Sequence, residues 1–165
     1  MITAIKNFFV NTLGAGWAIF FCSMIPIIEL RGSVILGAAL SVPWWQTFII
    51  SIVGNMLPVP FILLLIRWVL DKMKNTRLFG KMATWLENKA EKNKDKVEKY
   101  GFWGLCILVA IPLPGTGAWT GSLVAALMRI NFWKALLAVF VGVVIAGVVM
   151  TLAAYGVLGF LAFLA

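Results

Sequence analysis

Charged side chains are confined almost entirely to one short part of this chain, and this limits what the chain can fold into. Nine of the fourteen Lys and Arg residues lie between Lys72 and Lys99, and five of the six acids lie between Asp71 and Glu98. The rest is largely apolar, so that 62% of all residues are hydrophobic, against roughly 45–50% in a soluble domain. A bilayer replaces water around so much apolar surface. The sequence therefore predicts a single all-α membrane domain over residues 1–165.

The charged segment, residues 71–100, predicts the orientation of the chain. Its basic excess places it in the cytoplasm by the positive-inside rule, which makes the chain a multi-pass protein of the cell inner (plasma) membrane. Its apolar residues recur at helical spacing, which fits either a basic amphipathic helix on the membrane surface or a solvated linker helix. A basic loop attracts anionic headgroups by about 1 kcal/mol per Lys or Arg. The net charge of +8 therefore indicates membrane lipids, and not nucleic acid, as partners.

Proline and glycine interrupt two of the apolar stretches, 17–40 and 101–129. The arm from Trp17 to Met24 is only about 12 Å long, which is too short for a hydrocarbon core of about 30 Å. Each stretch is either one kinked span or a re-entrant hairpin whose tip lies near mid-membrane. An interior proline costs about 3 kcal/mol or more, and the second break packs two prolines and two glycines into seven residues, which favours hairpins in both. The second break reads Ile111-Pro112-Leu113-Pro114-Gly115-Thr116-Gly117.

The two broken stretches belong to an internal repeat, which divides the chain into a first repeat, 1–70, and a second repeat, 101–165. The intervals between aromatic, proline and glycine positions are the same before the break, and again after it, in both copies. The matched positions, first copy then second, are Trp17 and Trp103, Ile25-Pro26 and Ile111-Pro112, Gly32-Ser33 and Gly121-Ser122, and Trp44 and Trp133.

Each repeat also contains one full span, 44–70 in the first and 132–150 in the second. Pro58 and Pro60 predict a kink in the first of these spans. One full crossing per repeat gives the two copies opposite orientations, which is an inverted-topology repeat with broken helices and a binding site near the midplane. If residues 71–100 are cytoplasmic, the first hairpin enters from outside and the second from the cytoplasm.

Glu29 is the only acid outside the charged segment, and it lies at the predicted tip of the first hairpin. A charge at the bilayer centre costs roughly 2.5–3.5 kcal/mol, so it usually has a partner and a function. One interpretation is an ion pair with Arg31 that fixes the turn. The other is a proton-titratable carboxylate at a substrate site, since burial favours the neutral carboxyl whereas a nearby arginine favours the charged one.

Further candidate residues line the two breaks and the first span. The guanidinium of Arg31 suits a phosphate or carboxylate substrate. Backbone N–H groups at the second break either bind an anion at the start of the next helix or belong to glycines that only permit the turn. Asn55 either bonds across helices or lines the path, and Trp119 either packs the second tip or caps a cavity. The predicted site consists of Glu29, Arg31, Pro26, Pro112, Pro114, Gly115, Thr116, Gly117, Trp119 and Asn55.

The residue types of the chain offer little to an enzyme. There is no histidine, and the two cysteines, Cys22 and Cys106, do not form a CxxC pair. Without an acidic metal cluster either, the sequence predicts neither a metal nor a cofactor. A single acid in the apolar region is also insufficient for paired acid–base catalysis. We therefore expect a protein that is not an enzyme.

The segments 26–32 and 111–121 resemble the two signature segments of the small multidrug export protein family, and the resemblance covers nearly the whole chain. It implies efflux. The layout is also distantly similar to the DedA superfamily of lipid transporters and scramblases, which implies two opposed re-entrant hairpins with an acid in the first, here Glu29. DedA proteins typically carry arginines near the proline of the second hairpin. This chain has none there, and Arg31 is the remaining candidate for that charge.

The sequence thus predicts a small membrane transporter or lipid flippase for a phosphate-bearing, lipid-linked or other amphipathic substrate, with Glu29 coupling its movement to protons. The alternative is a non-transporting structural or assembly factor. In that case the Glu29–Arg31 pair serves packing, and the amphipathic segment docks to a partner. A homo-oligomer is compatible with either hypothesis.

Overall fold

A computed structural model of the chain describes residues 14–73, 94–111 and 116–164, in which all regular secondary structure is α-helical. This confirms the all-α prediction for the described residues. The amphipathic segment predicted within 71–100 lies mostly outside them. The helices, in chain order, are α1 (Gly14–Met24), α2 (Glu29–Ala39), α3 (Trp44–Met56), α4 (Pro58–Met73), α5 (Lys94–Ala110), α6 (Ala118–Leu127) and α7 (Phe132–Leu164).

The chain divides into two compact units. The first unit comprises Met1–Leu57 and Val143–Ala165, and the second comprises Pro58–Gly142. The described part of the first unit holds α1, α2, α3 and the end of α7. That of the second unit holds α4, α5, α6 and the beginning of α7. The two units thus have the same kinds of parts, although the chain enters them in a different order.

In the first unit, α1 and α2 run in opposite directions along α3. Gly37 of α2 lies against Thr47, and the Ser33 hydroxyl of α2 lies 2.8 Å from that of Ser51, so α2 is antiparallel to α3. On α1, Gly16 lies near Ile50, and the last turn packs against Gly54, so α1 is parallel to α3. The chain therefore reverses at residues 25–28 instead of continuing as one kinked helix. Re-entry of this hairpin into a membrane stays a prediction.

In the second unit, α5 packs against the first part of α7 with little space between their backbones. The Cys106 thiol donates a hydrogen bond to the Ala138 carbonyl oxygen at 3.2 Å. A Cβ atom on Gly142 would lie 2.9 Å from the Cys106 carbonyl oxygen. The α6 helix closes on the same place, because a Cβ atom on Gly121 would collide with Val109. Glycine is therefore required at both contacts, as Gly54 is in the first unit.

The turns after α2 and α6 have the same backbone hydrogen bonds. The Val42 N–H donates to the Gly37 carbonyl oxygen at 3.0 Å, and the Ile130 N–H donates to that of Ala125 at 3.0 Å. In each turn the preceding residue, Ser41 or Arg129, is left-handed, with φ of 58° and 52°. Both are Schellman ends. The two turns therefore share one local structure, while the inverted repeat stays a prediction.

The structure shifts one of the matched positions of the repeat. The first residues of α3 and α7, Trp44 and Phe132, are 88 residues apart, whereas α2 and α6 begin 89 residues apart. The reason is that α6 has 10 residues and α2 has 11. Trp45, rather than Trp44, is thus the structural equivalent of Trp133.

Two stretches, Trp44–Ile66 and Phe132–Gly156, are long and apolar enough to cross a bilayer. Only 39% and 44% of the most apolar part of each stretch is buried inside the protein. Outward side chains such as Phe61 and Leu152 remain 67% and 70% exposed, and soluble proteins rarely show large apolar patches. These features indicate a membrane location. Regular helical hydrogen bonding is interrupted at Leu57, before Pro58, although the backbone of Leu57 stays right-handed helical; the kink itself stays a prediction.

The second span extends further than the sequence predicts. Its helix was expected over 132–150 but continues through Gly156 to Leu164. No proline follows Trp133, so every residue of this stretch can donate its N–H to the helix, and glycine alone does not end it.

We predict that Gly37→Ala destabilises the protein by about 1–3 kcal/mol, the usual cost of overpacking, because its methyl group would overlap the Thr47 side chain. The matched control is Gly104→Ala, since nothing lies within 4 Å of a Cβ atom there. That change should be neutral or stabilise α5 by about 0.5–1 kcal/mol. Thermal unfolding in detergent micelles measures both. Equal melting temperatures for the two variants would contradict the close α2–α3 contact.

Candidate functional site

Glu29 begins α2 at the point where the chain reverses. It is buried, with only 7% of its surface exposed, although its side chain is ionisable. Its backbone is left-handed, with φ of 50°, while its N–H donates to the Ile25 carbonyl oxygen at 2.8 Å. A non-glycine residue in this region costs of order 1–3 kcal/mol and persists where the surroundings enforce it. The fold therefore enforces an unfavourable backbone conformation at this buried residue.

One glycine and five polar residues follow each other along α2 and α3 at intervals of four residues. We call this set, Gly37, Ser33 and Glu29 on α2 with Thr47, Ser51 and Asn55 on α3, the polar ladder. Its first level is the contact of Gly37 with Thr47, and its second is the hydrogen bond between the serines. Because the helices are antiparallel, one further turn brings Glu29 and Asn55 to the same level. The ladder therefore runs from the turn after α2 to the break before it.

Hydrogen bonds within the ladder leave little freedom to its serines. The Ser33 hydroxyl lies 2.9 Å from the Leu30 carbonyl oxygen and 2.8 Å from the Ser51 hydroxyl. Since Ser33 has one hydrogen, it donates to Leu30 and accepts from Ser51. The far end of the ladder is joined to α7, where the Tyr155 hydroxyl lies 2.7 Å from both Thr47 Oγ1 and the Val42 carbonyl oxygen.

Arg31 is half-buried and lies two residues beyond Glu29. The carboxylate of Glu29 acts electrostatically on the Arg31 guanidinium, so the two predicted charges are neighbours. Both are in the first unit, together with Asn55. Pro26 lies in the break itself and is exposed.

Asn55 differs from the other ladder residues because part of its side chain is not satisfied. It is only 2% exposed, and its Oδ1 has no hydrogen-bond partner among the described residues. Thr151 on α7, 8% exposed, is the other described residue with such an atom, its Oγ1. An unpaired buried polar atom costs roughly 1–3 kcal/mol, so each needs an explanation.

The predicted site residues of the second break lie in the other unit. Pro112, Pro114 and Gly115 are outside the described residues. The Thr116 hydroxyl donates to the Ile111 carbonyl oxygen at 2.8 Å, across the break. Gly117 is the residue before α6 and provides no side-chain cap, and Trp119 is half-buried in its first turn.

Several residues of the site were missed from the sequence, namely Ser33, Thr47, Ser51, Thr151 and Tyr155. The spacing of Thr47, Ser51 and Asn55 would have indicated one polar face of a helix. The partner face, with glycine and serine, is less conspicuous because small residues occur widely in membrane helices. Both cysteines are free thiols. The described part of the chain has no group of three His, Cys, Asp or Glu residues that could hold a metal.

The fold and site define a helical membrane protein with a buried acid at a reversal of the chain. A family model described as "Putative small multi-drug export protein" matches residues 29–149, from Glu29 into α7. The match covers well over half of the chain, which therefore belongs to this family. Searches of curated proteins and of solved structures give no significant match. The more distant similarity to the DedA superfamily stays a prediction.

We predict that Ser33→Ala and Ser51→Ala each destabilise the protein by about 0.5–1.5 kcal/mol, the usual net worth of a hydrogen bond. The double variant should lose less than the sum, since both substitutions remove the same bond. Ser122→Ala provides the control, because that serine is also buried but bonds the Ala118 carbonyl oxygen of its own helix. The loss of stability caused by Ser122→Ala should therefore add to the loss caused by Ser51→Ala. If thermal unfolding shows that the losses of Ser33→Ala and Ser51→Ala also add, the hydrogen bond between these two serines is contradicted.

Proposed function

We propose that this protein is a small membrane transporter that moves an amphipathic or phosphate-bearing, lipid-linked compound, with Glu29 coupling the movement to protons. The observation that carries this proposal is the buried carboxyl group at the level of Asn55. Asn55 lies at the middle of the candidate span Trp44–Ile66. A titratable group at such depth is costly and marks substrate or proton pathways in membrane proteins.

The hairpin formed by α1 and α2 supports this proposal. Each of its helices has 11 residues and is about 16 Å long. Both are shorter than a bilayer core of about 30 Å. If α3 begins at one membrane surface, the break at residues 25–28 reaches the midplane. Non-helical backbone is tolerated at that depth where it is buried or lines a cavity, as in transporters with broken helices.

The charges at the break suit an anionic headgroup. Arg31 is half-buried beside Glu29, and its planar guanidinium can bind a phosphate through two hydrogen bonds. A substrate phosphate that takes up the Arg31 charge would leave Glu29 less well neutralised, which favours protonation of the carboxylate. This link between the two residues is the proposed means of coupling. The description of the family as an export protein agrees with transport.

A structural role is the competing proposal, and the electrostatic interaction of Glu29 with Arg31 favours it. In that case the pair only fixes the reversal of the chain. A non-transporting membrane factor of this kind would lose stability with Glu29→Gln but would move no compound in vesicles. Transport assays therefore separate the two proposals.

We expect proteoliposomes with the unmodified protein to move a fluorescent phospholipid analogue or ethidium faster than protein-free liposomes when a pH gradient is imposed. Glu29→Gln should reduce the rate to the protein-free level, because the amide cannot exchange a proton. Glu98→Gln makes the same chemical change in the charged segment and should retain the rate. Full pH-driven transport by Glu29→Gln would contradict proton coupling. Phospholipid and ethidium arms distinguish an anionic from a cationic amphipathic substrate.

The inverted orientation is tested through the two Schellman turns. In a Cys22→Ala, Cys106→Ala background, Ser41→Cys and Arg129→Cys place single thiols at equivalent turn positions with the same left-handed backbone. A membrane-impermeant maleimide should label the first from outside intact cells and the second only after permeabilisation. Two kinked spans in place of the hairpins would put both turns on the same side, and labelling of both from outside would show this.

A further inference from the structure

The unpaired oxygen of Asn55 needs a hydrogen-bond donor. On α1, Phe20 and Ser23 lie against the neighbouring residue Gly54, and the Ser23 hydroxyl donates to the Phe20 carbonyl oxygen at 2.7 Å. Next to Asn55, the carbonyl group of Gly54 lacks its helical donor, because Pro58 has no N–H. These groups beside Gly54 therefore add acceptors rather than donors. A buried acceptor in this position destabilises the fold unless a donor is supplied in another state.

Glu29 can supply that donor in one of its two protonation states. It stands at the level of Asn55 in the polar ladder, and both residues are more than nine-tenths buried. An ionised carboxylate only accepts hydrogen bonds and cannot satisfy a carbonyl oxygen. A protonated carboxyl has one O–H and can donate it. Protonation of Glu29 would thus give the Asn55 oxygen a donor that the charged carboxylate lacks.

We infer that Asn55 is the positioning residue for the proton on Glu29, with its Oδ1 accepting the hydrogen bond of the protonated carboxyl group. This inference rests on the proposed proton coupling at Glu29 and specifies its second group. Proton binding at Glu29 then joins the beginning of α2 to the middle of the first span. Proton release removes that bond and restores the unpaired oxygen, so the two protonation states hold the reversal of the chain differently.

The other titratable groups around Glu29 leave this assignment in place. Among the described residues of the first unit they are Arg31 on the same helix, Cys22 on α1 and Tyr155 on α7. α3 carries none. Arg31 favours the charged carboxylate, and its charge also opposes a metal cation at the same place. Tyr155 bonds to Thr47 at the other end of the ladder. A proton adds one charge and one donor together, which a metal cation does not.

The test is a double-mutant cycle in thermal stability that needs no substrate. Glu29→Gln places a permanent N–H donor where the protonated carboxyl would have its O–H. Glu29→Gln also removes the counter-charge of Arg31, but that effect is common to every background. In the full-length protein, the change in melting temperature caused by Glu29→Gln should be more favourable by about 2–4 °C than the same change in an Asn55→Leu background.

A second unpaired oxygen provides the matched control. Thr151→Val removes the other described atom of this kind, in the same unit but outside the polar ladder. The effect of Glu29→Gln should be the same in the Thr151→Val background as in the unmodified protein. Coupling of equal size to Thr151 would show general loosening of the unit and would overturn the assignment.

The pH dependence gives an independent measurement. A bond formed only by protonated Glu29 makes the native state bind this proton more tightly than the unfolded state does, so it adds stability as the pH falls. Lowering the pH should therefore raise the melting temperature of the unmodified protein relative to that of the Asn55→Leu variant. A sodium-dependent rise in melting temperature that Asn55→Leu abolishes would instead show a cation at this oxygen, and equal Glu29→Gln effects in both backgrounds would show another partner. Either result overturns the inference, whatever the transport assay gives.

Discussion

The hydrogen-bonding needs of the backbone where the chain reverses govern the rest of the first unit. At residues 25–28 the chain leaves the helix, and Pro26 supplies no N–H. Several of the other groups are bonded locally: the Ile25 N–H donates to the Cys22 carbonyl oxygen, and the Ile25 carbonyl oxygen accepts from both Ile28 and Glu29. Hydrogen bonds within the reversal lower the cost of placing it in apolar surroundings. The bond donated by the Glu29 N–H accompanies the left-handed conformation of that residue.

Small residues then allow the two arms of the reversal to lie against α3. A Cβ atom on Gly54 would be 2.6 Å from the Phe20 carbonyl oxygen, so the backbones of α1 and α3 are nearly in contact. Gly37 permits an equally close approach of α2 on the other side. In an apolar solvent this packing, with hydrogen bonds between hydroxyl groups, replaces the hydrophobic drive that holds soluble helices together. The polar ladder is therefore a means of assembly as well as a candidate site.

The sequence predicted the elements of this fold better than their arrangement. The density of apolar residues and the prolines placed both breaks, because a missing N–H and a restricted φ act locally. The α7 helix was predicted too short, since glycine alone does not stop a helix that has no competing turn. The pairing of α2 with α3 was not predicted, because it depends on which faces meet, and Gly37 and Ser33 are inconspicuous without Thr47 and Ser51 opposite them.

For the site, too, individual residues were predictable from the sequence, whereas their arrangement was not. Glu29 and Arg31 were identifiable because charge in an apolar stretch is costly wherever it ends up. Asn55 was placed in the predicted site, but its relation to Glu29 required the antiparallel register.

The two units divide the polar residues unequally despite their similar parts. Of the eight buried polar or charged residues that the structure describes, seven belong to the first unit and only Ser122 to the second. Packing alone does not require this difference, because the second unit achieves equally close contacts with Gly121, Gly142 and apolar side chains. Each buried polar group carries a desolvation cost that an alanine or valine would avoid. The first unit keeps seven, with one strained acid and two unpaired oxygens among them, and this unequal division is why we propose the function of this protein for the residues of α2 and α3.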